Sequence, residues 1–232
     1  MTTVAAFGAL NQDSYDVFSA FLHRKAQEGG MSFTLNIAAP YPNARAVSEP
    51  ARPLRAEALG DDAKRAQLYM AVAGDARAVG GDMADCAVMP CMSMIGFHDG
   101  IEAALGRPVV RLADVLAAAY RDVPRVGVLH MRPAKNTVER IFGDRLVVPD
   151  EVQTAALLAA EDITKQTGNP SPVETVIKNI TQAWRDQGIG HVLFARADAP
   201  RAIMNDAAQV DGIIINSVFD ILAAHVVAAY KI

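Results

Sequence analysis

The residues best placed by type and spacing to do chemistry lie in the stretch Asp85 to Gly96, which reads Asp-Cys-Ala-Val-Met-Pro-Cys-Met-Ser-Met-Ile-Gly. Cys86 to Met89 is a short apolar run bounded by Pro90, the pattern of a buried parallel strand that ends at a loop. Cys91 stands just past the carboxyl end of that strand, where open α/β sheets bind ligands. A thiol there is an acid/base candidate, because free cysteine titrates near ~8.5 and a neighbouring cation or helix N-terminus lowers that value. A cysteine also serves as a small buried hydrophobe. That is the reading for Cys86, whose side chain points to the other side of the strand. As strand residues five positions apart, the two cysteines would lie ~16 Å from each other, beyond the ~7 Å at which cysteines bridge. Reduced thiols follow.

Other polar side chains fall in loops after strands. Ser93 either donates to a bound carboxylate or caps the next turn. His130, at the end of a strand, is either a base that titrates near neutral pH or a structural residue. Arg196 either clamps a carboxylate bidentately or forms a surface salt bridge with Asp198. Asp198 itself is either an acid/base or the cap of a helix entered at Pro200. Met89, Met92 and Met94 read as pocket wall or core. His23, His98, His191 and His225 lack metal-ligand spacing. The loop from Gly8 to Asn11 lacks the Gly-x-Gly-x-x-Gly pattern, so dinucleotide binding is not supported.

Strands and helices alternate through the whole chain. Strands are expected at Val4–Gly8, Phe33–Ile37, Cys86–Met89, Val109–Arg111, Arg125–His130, Leu146–Val148, His191–Phe194 and Gly212–Asn216. Helical spacing covers 14–28, with Tyr15, Phe18, Phe21 and Leu22 on one stripe. It also covers 56–79, 101–105, 112–120, 135–142, 152–165, 173–187 and a stretch after Ser217. Ser171-Pro172-Val173-Glu174 has the form of a capping box with proline at the first helical position. Such alternation predicts an α/β fold with a parallel sheet covered on both faces. The strands fall into two groups of about four, so two similar α/β lobes with a cleft between them are the simplest arrangement. One lobe would be residues 1–115 with the C-terminal helix 217–232, and the other residues 116–216.

Half of the 232 residues are hydrophobic and the net charge is −4. There is no basic stripe, which argues against a nucleic-acid partner. No window approaches the ~18–20 apolar residues of a membrane span. The N-terminus lacks a basic n-region, and two cysteines make no disulfide framework. A cytoplasmic protein without a membrane partner is expected.

In order and spacing, several segments together resemble the aspartate/glutamate racemase superfamily. They are Phe7-Gly8-Ala9-Leu10-Asn11 after the first strand, Asn36 to Arg45 ending in Tyr-Pro-Asn-Ala-Arg, and Pro90-Cys91-Met92-Ser93. Gly127-Val128-Leu129-His130-Met131 opens the second half, and Ala195 to Pro200 closes the set. The resemblance implies two pseudo-symmetric lobes with the active site between them, no cofactor, and a homodimer. It implies that a thiolate removes the α-proton of a small amino acid and that a second thiol returns one on the opposite face. Carried onto this chain, Cys91 would be the acid/base, and Gly8, Asn11, Arg45, Ser93, His130 and Arg196 would hold the substrate.

The sequence departs from the pattern at the second cysteine, where Arg196 stands, and arginine stays protonated. Met92 replaces an asparagine and Asp198 a glutamate. A second proton carrier would then be Asp198 or His130. Three functions follow: a racemase or isomerase at the α-carbon of an aspartate- or glutamate-like amino acid or related carboxylate, a one-cysteine lyase or decarboxylase, and a non-catalytic carboxylate binder.

Overall fold

A computed structural model of the chain describes residues 1–8, 10, 12–38, 60–129, 135–195 and 211–230. In chain order its elements are β1 (Thr2–Ala6), α1 (Gln12–Glu28), β2 (Phe33–Ile37), α2 (Asp62–Ala78), β3 (Cys86–Val88), a 3-10 segment Met92–Phe97 and α3 (His98–Leu105). Then follow α4 (Leu112–Ala119), β4 (Val126–Leu129), α5 (Lys135–Phe142), a 3-10 turn Gly143–Arg145 and β5 (Leu146–Val147). The chain ends with α6 (Glu151–Thr167), α7 (Ser171–Asp186), β6 (His191–Phe194), β7 (Ile214–Ser217) and α8 (Val218–Tyr230). The fold is α/β, with two parallel sheets flanked by helices. It divides into two compact units, Met1–Leu116 with Phe219–Ile232, and Ala117–Val218.

In the first unit the sheet order is β2-β1-β3. Val4, Ala5 and Ala6 of the central strand are fully buried, as expected of a strand covered on both faces. The stripe on α1 packs as its spacing predicts, with Tyr15, Phe18, Phe21 and Leu22 all buried. Phe18 meets Phe219 of α8 with ring centroids 5.8 Å apart, and Arg24 donates to Asp220 at 2.9 Å. The strand expected at Val109–Arg111 is reduced to a single parallel bridge between Val110 and Val88. Gly106, with φ +82°, ends α3 just before it, and α4 begins at Leu112, so there is no length for a ladder. On the opposite side Tyr69 of α2 occupies the space that a side chain at Gly100 of α3 would need.

In the second unit the order is β5-β4-β6-β7. Its core joins Leu157 of α6, Ile177, Ile180 and Trp184 of α7, and Val192 and Phe194 of β6. Trp184 is 2% exposed and lies against Gly127 of β4, where any Cβ would run into the indole. The Arg145 guanidinium donates to the carbonyls of Tyr120 at 2.6 Å and Val123 at 3.0 Å, fixing the turn that leads into β4.

The helix caps differ from expectation in one place. The capping box is at α6, where Asp150 accepts from the Gln153 backbone and Gln153 returns a bond to the Asp150 N–H. At α7 Ser171 is already inside the helix and makes no side-chain cap. Asn169 takes the Ser171 N–H at 3.1 Å and the Pro170 carbonyl takes the Glu174 N–H at 3.1 Å, so both backbone donors that a Ser171/Glu174 capping box would use are already bound.

Candidate functional site

The register of the first sheet brings the candidate residues together. β1 and β3 run parallel with Ala6 opposite Val88. The Phe7 N–H donates to the Val88 carbonyl at 3.1 Å. Gly8 and Cys91 therefore leave the carboxyl ends of neighbouring strands. Gly8 has φ +126°, and a Cβ on it would stand 3.0 Å from Met89 Cγ and 3.5 Å from Cys91 Cβ. Glycine is needed there for its backbone conformation and for the close approach of the cysteine loop. The Tyr15 hydroxyl donates to the Gly8 carbonyl at 2.9 Å from beneath, holding the turn.

Cys91 is 3% exposed and unbridged. Its N–H donates to the Met89 carbonyl at 2.8 Å, and its own carbonyl accepts from Met94 at 3.1 Å. The Sγ lies 3.1 Å from the Ser93 Oγ. A hydroxyl at that distance can donate to a thiolate or accept from a thiol, so either protonation state keeps a partner. Of the residues singled out in the sequence, the structure thus brings Gly8, Cys91 and Ser93 together. Asn11, Arg45, His130, Arg196 and Asp198 lie outside the described residues.

Cys86 is the first residue of β3. It is fully buried. Burial pushes its thiol up to about 12, against a hydrogen bond with Tyr230 that acts the other way. Such a thiol stays protonated and inert. In the second unit Leu129 pairs with Phe194, and the Ala195 N–H donates to the Leu129 carbonyl at 3.0 Å. The loops after β4 and β6 therefore leave the same end of that sheet, from adjacent strands.

His98, which lacks metal-ligand spacing in the sequence, has a structural setting near Cys91. It is 7% exposed, and its Nε2 lies 3.0 Å from the Val110 carbonyl, with Glu102 one turn away on the same helix. The i, i+4 spacing of His and Glu just after the cysteine loop was the available signal. Among the described residues no group of three His, Cys, Asp or Glu side chains is close enough to hold a metal, and no helix is long and apolar enough to cross a membrane.

Known structures share this fold. An Asp/Glu racemase candidate from Yersinia pestis superposes with a TM-score of 0.70 at 16% identity, with both chains covered over 100% of their length. The fold is that of the aspartate/glutamate racemases. An aspartate racemase homologue from Pyrococcus horikoshii OT3 gives 0.65 at 14% identity, again covering 100% of both chains. The aspartate racemase of Picrophilus torridus gives 0.63 at 13% identity, covering 100% of this chain and 95% of that one. No protein-family model and no curated protein matches the sequence. The fold is thus shared at 13–16% sequence identity.

Proposed function

We propose that this protein is a cofactor-independent racemase- or isomerase-like enzyme acting at the α-carbon of a small amino acid of aspartate or glutamate type, or a related carboxylate. The observation that carries the reading is Cys91, a buried thiol held 3.1 Å from the Ser93 hydroxyl beyond the carboxyl ends of parallel strands in a racemase fold. As a thiolate, Cys91 takes the α-proton. The electron pair left on carbon delocalises into the substrate carboxylate, and Ser93, Arg45 and Arg196 stabilise that developing charge. In this reading Gly8 and Asn11 also bind the substrate. Asp198 or His130 returns a proton on the opposite face. The same reading takes the protein as a cytoplasmic homodimer.

A second reading is favoured by a count. The chain has two cysteines, and Cys86 is fully buried with its thiol pushed up to about 12. No second thiol remains for the opposite face. In a one-cysteine lyase, the bond from the α-carbon to a carboxylate breaks, carbon dioxide leaves without the bonding pair, and Cys91 protonates the resulting enediolate on one face.

Proton NMR in D2O with a panel of small amino and hydroxy acids separates these readings, with Cys91→Ala run beside the wild type. Exchange with inversion supports the racemase, and exchange with retention supports one-base chemistry. The Cys91→Ala protein is expected to lose exchange by at least ~10²-fold, the scale of a general acid/base. Exchange that survives in Cys91→Ala removes Cys91 from the mechanism. No exchange on any substrate points to a carboxylate binder.

A further inference from the structure

The Cys91 loop is held at its far end by a histidine that does not belong to the loop. Beyond Cys91 the chain winds as a six-residue 3-10 segment, with no side-chain cap at its start. Runs of that length are uncommon because 3-10 hydrogen bonds are poorly aligned, so the segment needs an external hold. His98 follows it directly as the first residue of α3. Its Nε2 is 3.0 Å from the Val110 carbonyl. A carbonyl can only accept, so Nε2 carries the proton and Nδ1 is the bare nitrogen. Val110 in turn donates to the Ala87 carbonyl at 2.8 Å and forms the bridge with Val88. The loop thereby closes on itself, from β3 through Cys91 and the 3-10 segment to His98, and back through Val110 to β3. Glu102 adds a second tie, accepting the Val109 N–H at 3.1 Å.

We propose that His98, supported by Glu102, is the positioning residue for Cys91, fixing the turn that presents its thiol. This rests on the reading of Cys91 as the acid/base. The charged groups facing the imidazole are Glu102, whose Oε2 is 3.9 Å from Nδ1, and Asp99 on the same helix. Arg111, on the segment opposite, bonds Asp99 at 2.7 Å and Glu102 at 3.3 Å. Burial holds His98 below its ordinary value, so at neutral pH it is the uncharged ring that ties the loop.

The test compares wild type with His98→Gln, His98→Asn and His98→Leu. Glutamine reaches the Val110 carbonyl with an amide N–H, asparagine is too short, and leucine has no donor. Two quantities are read well below the melting transition of each protein. One is the rate of Cys91 alkylation by iodoacetamide, located by mass spectrometry. The other is kcat and KM for α-proton exchange. Alkylation in the Asn and Leu variants is expected to rise about three- to tenfold, the change in opening equilibrium that loss of one hydrogen bond brings. Their kcat should fall by on the order of tenfold with KM little changed, since a displaced acid/base costs rate before binding. Gln should stay near wild type in both, a rescue that loss of packing alone does not give.

Alkylation rates equal in all four proteins overturn the proposal. So does a Gln variant that behaves as Leu does. If leucine prevents folding, the Gln and Asn pair decides alone. If the wild type exchanges no substrate, the functional reading has failed, and the positioning of Cys91 is still judged on alkylation, which needs no substrate.

Discussion

At the scale of single residues the decisive feature is how little room surrounds the Cys91 thiol. Gly8 bears on it through its missing Cβ. A Gly8→Ala change forces an L side chain into φ +126° and against Met89. It is expected to cost about 1–3 kcal/mol of stability, checked by denaturant unfolding, and to lower exchange activity by displacing the cysteine loop. Ser93→Ala removes the hydroxyl 3.1 Å from the thiol. It should leave stability within about 1 kcal/mol while reducing the exchange rate. A fall in stability with unchanged rate would assign Ser93 to packing. The contrast between the cysteines was legible in the sequence, because strand alternation and the position of Pro90 separate one that ends a strand from one inside it. His98 was legible only in its i, i+4 spacing with Glu102, since its hydrogen-bond partner is a backbone carbonyl twelve residues on.

At the scale of elements, periodicity located the helices and missed their ends. The stripe on α1 is buried as read, because tertiary packing rewards the same face that the spacing defines. At α7 Asn169 takes the N–H that Glu174 would take in a capping box, and only three-dimensional geometry decides that contest. The box at α6 makes a direct prediction: Asp150→Ala should destabilise by about 0.5–2 kcal/mol, read in thermal unfolding.

The tie between α3 and the Val109–Arg111 segment carries a pH dependence. Burial holds His98 below its ordinary value, so the unfolded chain takes up that proton first. Its contribution is complete above about pH 6.5 and is lost as pH falls toward the folded-state value. Burial pushes Glu102 up, but the Val109 N–H and the Arg111 guanidinium outweigh it and hold the carboxyl below its usual range. Its contribution is present above about pH 4.3 and is lost as pH falls through the folded-state value. The unfolding midpoint should therefore drop in two stages on acidification, and His98→Gln should abolish the upper one. An unchanged upper stage in that variant would assign it to another group.

At the scale of the whole molecule, alternation of strand and helix sufficed for the α/β class with parallel sheets. The number of strands was less secure. Val109 to Arg111 reads as a strand by composition, yet the chain between α3 and α4 leaves room for one bridge only. The candidate site was least legible, because Asn11, Arg45, His130, Arg196 and Asp198 lie outside the described residues while Gly8, Cys91 and Ser93 are placed by the strands they follow. Close packing around the single tryptophan gives a further check. Gly127→Ala should destabilise the second unit by about 1–3 kcal/mol through overpacking, visible in Trp184 fluorescence, while Cys86 in the first unit keeps its protection from alkylation.

The first unit is built from two separated stretches of chain, Met1–Leu116 and Phe219–Ile232, and the Tyr230 hydroxyl reaches back to the Cys86 thiol. On a translating ribosome this sets an order of events. The second unit is one uninterrupted stretch and can assemble as soon as it emerges. The first cannot be completed until α8 has emerged and its Phe219 and Tyr230 can reach Phe18 and Cys86. Cys86 is then a built-in clock for synthesis: a brief pulse of thiol reagent on stalled nascent chains should mark it until α8 is free, and pass it by afterwards.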